Sequence, residues 1–162
     1  MNNLLLEEEE MLLLGEDEED DEMPNFAHGR LQFGLLEQCN RALRSDVRAY
    51  PPITFRGKTR RYTPDVVIYP KRTTPLSDET TVELTPPIIA IEIISPGQTM
   101  GEMVKKCREM LASGAEECWI IEPANETVTV CRAGIIFALH RGEELQHDLL
   151  TRTISVDAVF DV

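Results

Sequence analysis

One acid in this sequence stands where an acid is costly. In the run Ile88-Ile89-Ala90-Ile91-Glu92-Ile93-Ile94 every residue except Glu92 is apolar. Once such a run is buried, the carboxylate must find a cation, a hydrogen-bond donor or a proton. That requirement makes Glu92 a stronger site candidate than the surface acids, with a purely structural Glu paired to a nearby Arg or Lys as the competing reading. Asp65 is the second candidate, opening the β-rich run Asp65-Val66-Val67-Ile68-Tyr69 directly after Pro64. Alone, an Asp at that position is commonly a turn residue. Two strand-borne carboxylates in one small domain, however, offer the oxygen ligands that a hard cation such as Mg²⁺ prefers, with room left for a substrate phosphate.

The elements that must position these groups are legible from periodicity. Leu31, Leu35, Leu36, Cys39 and Leu43 recur at helical spacing and predict an amphipathic helix over 28–44, with Gly34 as its weak point. An extended segment follows from Val47 to Phe55, then the basic stretch Arg56 to Arg61, then the strand begun by Asp65 and bounded by Pro64 and Pro70. Residues 71–87, rich in Thr and Pro, read as an exposed connection with a short strand near Thr80 to Leu84. Ile88 to Ile94, apolar on both alternating faces, is expected at the centre of a sheet. Met100, Met103, Val104, Cys107, Met110 and Leu111 predict a helix of 99–113 that stops at Gly114. Cys118 to Ile121, Thr127 to Arg132 and Ile135 to His140 read as further strands, and Ile154 to Phe160 as a last edge strand or short helix. The strand, helix and strand over 88–121 form a crossover unit that lays its helix on one face of the sheet.

Composition bounds the possibilities. The 162 residues are 42% hydrophobic, enough for one cored domain. Cys39, Cys107, Cys118 and Cys131 show no short paired spacing, which argues against a zinc site or disulfide framework. No run approaches a membrane span, and no basic leader opens the chain, so a cytoplasmic protein is expected. The net charge of −13 opposes phosphate binding, but eleven of the 29 acids lie in Glu7–Glu10 and Glu16–Glu22. The remainder carries 18 acids against 16 bases, close to neutrality. The division expected is an acidic N-terminal segment over 1–23, with Leu4–Leu6 and Met11–Leu14 spaced for a short helix, and a domain over 24–162.

The order Pro64-Asp65-Val66-Val67, Ile91-Glu92-Ile93-Ile94-Ser95-Pro96, Lys106, Gly114 and Cys118-Trp119-Ile120-Ile121-Glu122-Pro123 resembles the Uma-type restriction endonuclease family of the PD-(D/E)XK nuclease superfamily. The likeness covers roughly 24–135. It implies an α/β fold with a restriction-endonuclease-like central mixed β-sheet flanked by helices. It also implies a Mg²⁺-dependent DNA endonuclease, with Mn²⁺ as a substitute, no small-molecule cofactor, and a homodimer if both strands are cut. The superfamily places a Lys two residues after the Glu, where this chain has Ile94. In the resembled family a Lys of the following helix replaces it. At ~100° per residue, Lys106 lies beside the apolar stripe of that helix while Lys105 lies nearly opposite, so Lys106 is the one able to reach inward.

On this resemblance Asp65, Glu92 and Lys106 are the catalytic residues. Asp65 and Glu92 would ligate the metal with the Ile93 carbonyl, and Lys106 would orient the attacking water. His28 matches a family position, Glu102 stands where the family commonly has Asp, and so does Glu122. Each also has a plainer reading: a capping or exposed histidine, an i,i+4 ion pair of Glu102 with Lys106, and a strand-end acid. Arg56, Lys58, Arg60 and Arg61 are candidate phosphate contacts or a solvated loop. The alternative at the level of the whole protein is an inactive nuclease-fold module that binds nucleic acid or a protein partner. A scaffold whose acidic segment recruits a basic partner is a third reading.

Overall fold

A strand apolar on both sides is stable only with a layer packed on each face. The computed structural model, which describes residues 24–162, supplies both layers. In chain order the elements are α1 (Phe26–Ala42), β1 (Val47–Tyr50), β2 (Phe55–Arg56), β3 (Arg61–Tyr62), β4 (Val66–Pro70), β5 (Ile89–Ile93), α2 (Met100–Ala112), β6 (Glu117–Glu122), β7 (Thr127–Arg132), β8 (Ile135–Leu139), β9 (Glu144–Leu145), β10 (Ile154–Ser155) and α3 (Val156–Phe160). A six-stranded mixed sheet runs β1-β4-β5-β6-β7-β8, with β5 and β6 parallel and the other neighbours antiparallel. This is an α/β domain. The acidic segment 1–23 and the short helix expected within it lie outside the described residues.

Alternation along β5 assigns the two faces. Ile89, Ile91 and Ile93 join Trp119, Ile121, Val128 and Val130 against Leu31, Leu35 and Cys39 of α1 and Val156 and Val159 of α3. Ala90, on the other face, meets Cys118, Ile120 and Cys131 under Met103, Cys107 and Met110 of α2. Glu92 is in phase with Ala90 and so points to the α2 side. Cys39, Cys107, Cys118 and Cys131 are buried and free.

Several elements differ from the sequence reading for identifiable reasons. Strand pairing begins at Val66, so Asp65 stands just ahead of β4 rather than within it. The short strand expected over Thr80–Leu84 is a single bridge between Phe55 and Glu83. The tail segment is both alternatives in succession, β10 followed by the one-turn helix α3, and β10 pairs with β9, a two-residue strand too short to show periodicity. Gly34 does not weaken α1; a Cβ there would lie 2.0 Å from Val162 Cγ1, so the glycine admits the chain's last residue against the helix. No described helix is long and apolar enough to cross a membrane.

The outer edge of β1 is closed by a side chain. Asn40 of α1 donates to the Ala49 carbonyl at 3.1 Å and accepts from the Ala49 N–H at 3.0 Å, imitating a neighbouring strand. Asn40→Ala removes both partners from a half-buried backbone. It is expected to cost about 1–3 kcal/mol in urea unfolding; a loss below about 0.5 kcal/mol would show that water satisfies Ala49 equally well.

Candidate active site

The site forms where β4 has not yet begun and β5 is ending. The register Val66↔Ile91, Val67↔Ala90 and Ile68↔Ile89, continued by one step, sets Asp65 opposite Glu92. The last stretch of β5 thus runs past the start of its neighbour, and Asp65 substitutes for a strand partner: its Oδ2 accepts from the Ile93 N–H at 2.7 Å. The N–H and C=O of one strand residue point to the same side, so the Ile93 carbonyl faces this same gap. Ile94, next in the chain, turns its N–H the other way, to the Ile121 carbonyl of β6.

Two helices reach this strand end. On α1, Asn25 caps the first turn by accepting from the His28 N–H at 2.9 Å. The His28 ring then meets Asp65 Oδ1 at 2.9 Å through Nε2, which must donate because a carboxylate only accepts. One turn on, Gln32 Nε2 donates to the Asp65 carbonyl at 2.8 Å. On α2, Thr99 and Glu102 form a reciprocal capping box that starts the helix. Two turns later Lys106 projects its ammonium to 2.9 Å from Glu92 Oε1. Glu92 is buried, and Lys106 retains about a quarter of its side-chain exposure (27%), so the amine's remaining donors can meet solvent.

The electrostatics follow from this packing. Burial lowers the proton affinity of Lys106, but the charge and hydrogen bond of Glu92, with the charge of Asp65, outweigh it and leave the pKa above the ordinary lysine value. The hydrogen bond to Asp65 raises His28 above 6.5 against the opposing effect of burial, and the charges of Asp65 and Glu92 add to the rise. The Glu92–Lys106 pair is a partly buried ion pair in which each member neutralises the other's desolvation.

The structure brings together Asp65, Glu92, Ile93, Lys106 and His28. It does not bring in Glu102 or Glu122. Glu102 is occupied at the α2 cap, accepting from the Thr99 N–H and hydroxyl at 2.8 Å, and Lys106 bridges to Glu92 instead of forming the i,i+4 pair. Glu122 accepts from Asn125 and Thr127 in the β6–β7 turn. Gln32 was not singled out by sequence; its contact is to main chain, which leaves no residue-type signal. A second buried acid, Glu117, was missed because it opens its strand instead of interrupting an apolar run; Trp119 Nε1 donates to it at 2.6 Å, and Arg132 lies 3.6 Å away.

Among the described residues no group of three or more His, Cys, Asp or Glu side chains is arranged to hold a metal ion. The donor chemistry nevertheless suits a hard dication. Asp65 uses two of its roughly four acceptor positions on His28 and Ile93, and the remainder, with Glu92 and the Ile93 carbonyl, are all oxygen. Mg²⁺ keeps several waters and is commonly held by one or two carboxylates.

Two outcomes are expected of the metal-free protein. Lys106→Ala removes the cation from a buried carboxylate and should cost about 3–5 kcal/mol in urea unfolding, most of it recovered in Glu92→Gln/Lys106→Met. A histidine with raised folded pKa adds stability that is complete below 6.5 and is lost as pH climbs through the folded value. The stability gap between wild type and His28→Gln is therefore larger at about pH 5.5 than at about pH 9; equal gaps would mean that the Asp65 contact does not depend on the ring's charge.

Among curated proteins none matches the sequence. The family model Uma2, described as "Putative restriction endonuclease", matches residues 12–158. The fold is similar to the crystal structure described as "a putative nuclease belonging to DUF820" from Anabaena variabilis ATCC 29413, with a TM-score of 0.75 and 20% identity over 86% of this chain and 83% of that one. With a central mixed sheet, a nuclease-like neighbour and a family match over nearly its whole length, this chain belongs to the Uma2 family.

Proposed function

We propose that this protein is a Mg²⁺-dependent DNA endonuclease whose active site is Asp65, Glu92 and Lys106. The observation that carries the reading is the 2.9 Å contact between Lys106 and Glu92 at the strand end where Asp65 stands. An acid, a facing acid and an amine at one point provide the group types that phosphodiester hydrolysis uses. Family membership supports the reaction class, and the all-oxygen donor set supports Mg²⁺ over softer metals, with Mn²⁺ as a substitute.

Asp65 and Glu92, with the Ile93 carbonyl, are the residues that would hold the metal. When bound, it would supply polarisation of a phosphoryl oxygen and a water of lowered pKa. His28 fixes the Asp65 carboxylate through Oδ1, while the Ile93 N–H fixes Oδ2, so the acid is oriented before substrate arrives. Lys106 uses one donor on Glu92 and turns the others toward solvent, where they orient the attacking water and offset charge on the phosphate. One such site attacks one strand, so a double-strand break calls for two copies, which is the basis for proposing a homodimer.

The other reading, a nuclease-fold module that binds without cutting, is favoured by Ile94 standing in the strand position that carries Lys in the wider superfamily. Cleavage separates the two. Purified full-length protein is expected to nick or cut mixed DNA substrates with Mg²⁺ or Mn²⁺ and to be silent in EDTA. Asp65→Asn, Glu92→Gln and Lys106→Met should each lower the rate by roughly a hundredfold or more. Metal-dependent cleavage undiminished by all three substitutions would place the activity elsewhere, and no cleavage by folded wild type would favour the binding module.

A further inference from the structure

The β2–β3 hairpin breaks a rule of strand pairing. Its register sets Phe55 against Tyr62 and Arg56 against Arg61. The aromatic pair is buried and stacked, with ring centroids 5.5 Å apart, and forms the inner face. The outer face is then two arginines directly opposite each other, a like-charge pair that disfavours the ladder. Among the described residues no acid relieves it: neither Arg56 nor Arg61 forms an ion pair, nor does Lys58 at the tip, and residues 55–62 contain four bases and no acid. A locally unfavourable arrangement that none of the described residues compensates is expected where a ligand does the compensating.

The hairpin is also held rigidly, and held to the helix that carries Lys106. Glu109, one turn beyond Lys106, accepts from Arg60 at 3.0 Å and from the Tyr62 hydroxyl at 3.0 Å. The Lys58 N–H donates to Ser113 Oγ at the α2 C-terminus. The turn itself closes through Gly57 N–H to the Arg60 carbonyl at 2.8 Å, and a Cβ at Gly57 would lie 2.2 Å from the Tyr62 ring. Arg60 is close enough to Lys106 to oppose its protonation. The hairpin that carries the outward arginines is therefore fastened at three points to the helix that carries Lys106. No large aromatic is exposed on the hairpin, since Phe55 and Tyr62 both face inward, so it offers bases no aromatic platform.

From this geometry we propose that Arg56 and Arg61 jointly grip a backbone phosphate of the nucleic acid, making the β2–β3 hairpin a sequence-independent guide that sets the strand against Lys106. Two planar guanidinium groups carried at facing positions of one short ladder suit a phosphodiester, whose negative charge would convert the repulsion between them into a bridge. Lys58 extends the same surface at the tip. Glu109 is a positioning residue, acting through Arg60 and Tyr62. The proposal rests on the nuclease reading for the identity of the polymer, but it can be tested without cleavage.

The experiment is fluorescence anisotropy of the full-length protein with a labelled duplex in EDTA, over a range of salt concentrations and with several unrelated sequences. Arg56→Gln/Arg61→Gln is expected to weaken binding roughly tenfold or more for every sequence, and to lower the slope of log K against log salt by about one to two. Because a repulsion has been removed, the single variant Arg56→Gln should melt at or above the wild-type temperature while binding less tightly. A merely structural role would lower both. Arg41→Gln/Arg152→Gln, with the same loss of charge at distant exposed positions, should bind as wild type does. The proposal is overturned if wild type binds no duplex, if the hairpin variant keeps wild-type affinity and slope, or if the distant variant weakens binding equally. It is also overturned if millimolar inorganic phosphate protects wild type but not the hairpin variant while duplex binding is unchanged, which would mark a small-anion site. Binding that depends on the hairpin in a protein that does not cut would leave this inference standing and remove the nuclease reading; cutting by a hairpin variant with unchanged binding would do the reverse.

Discussion

A carboxylate at the centre of a sheet stays charged only where a cation or hydrogen-bond donors meet it in the interior. Glu92 is buried in β5, and Lys106 is the cation that answers it. Much of the surrounding structure is organised by that pairing. β5 needs both faces covered, so the chain must cross over between β5 and β6, and the crossover helix α2 covers the face toward which Glu92 points. The start of that helix is set by the Thr99–Glu102 capping box. Because the cap fixes the helical phase, it also fixes where, two turns later, the ammonium emerges.

Asp65 answers a different constraint. The sheet offers an unpaired N–H where β5 overruns β4, and an Asp just ahead of β4 completes the ladder with its side chain. That bond holds the carboxylate at the register position facing Glu92. His28 adds a second hold from the opposite layer, positioned by its own N-cap at Asn25. The strand end is thus gripped by helices from both faces, and neither alone would orient both acids. The residue after Ile93 illustrates the economy of the arrangement: Ile94 packs among the apolar residues under α2, while the amine reaches Glu92 from the helix above. A lysine on the strand and a lysine on the crossover helix are two ways to place one positive charge against the same acid.

The acidic balance of the whole chain is not the balance at the site. Arg56, Lys58, Arg60 and Arg61 are concentrated on the β2–β3 hairpin, which is fastened to α2 through Glu109. Local field is set by where charges sit, and at separations beyond about 8–10 Å salt screens the rest. A net charge of −13 is therefore compatible with a positive approach to Lys106.

Much of the architecture was legible in the sequence because hydrophobic period is a direct record of which side of an element is buried. The core strand, the crossover helix and the strands Thr127–Arg132 and Ile135–Leu139 follow from it to within a residue or so. Glu92 was visible for the same reason, as the one interruption of an apolar run, and helical phase alone separated Lys106 from Lys105. What period cannot record is which residues meet across the fold. The two-residue strands β9 and β10 are shorter than any period, and the occupation of Glu102 by a cap instead of by Lys106 depends on a choice between two partners that only packing makes. The hold of His28 and Gln32 on Asp65, over separations of more than thirty residues, and the facing arginines of the hairpin exist only once the chain has closed on itself. The sequence by itself determined which groups could react and which faces they ride on; tertiary structure decided which of them share one point in space, because contact between distant residues is a property of the folded chain and leaves no local pattern.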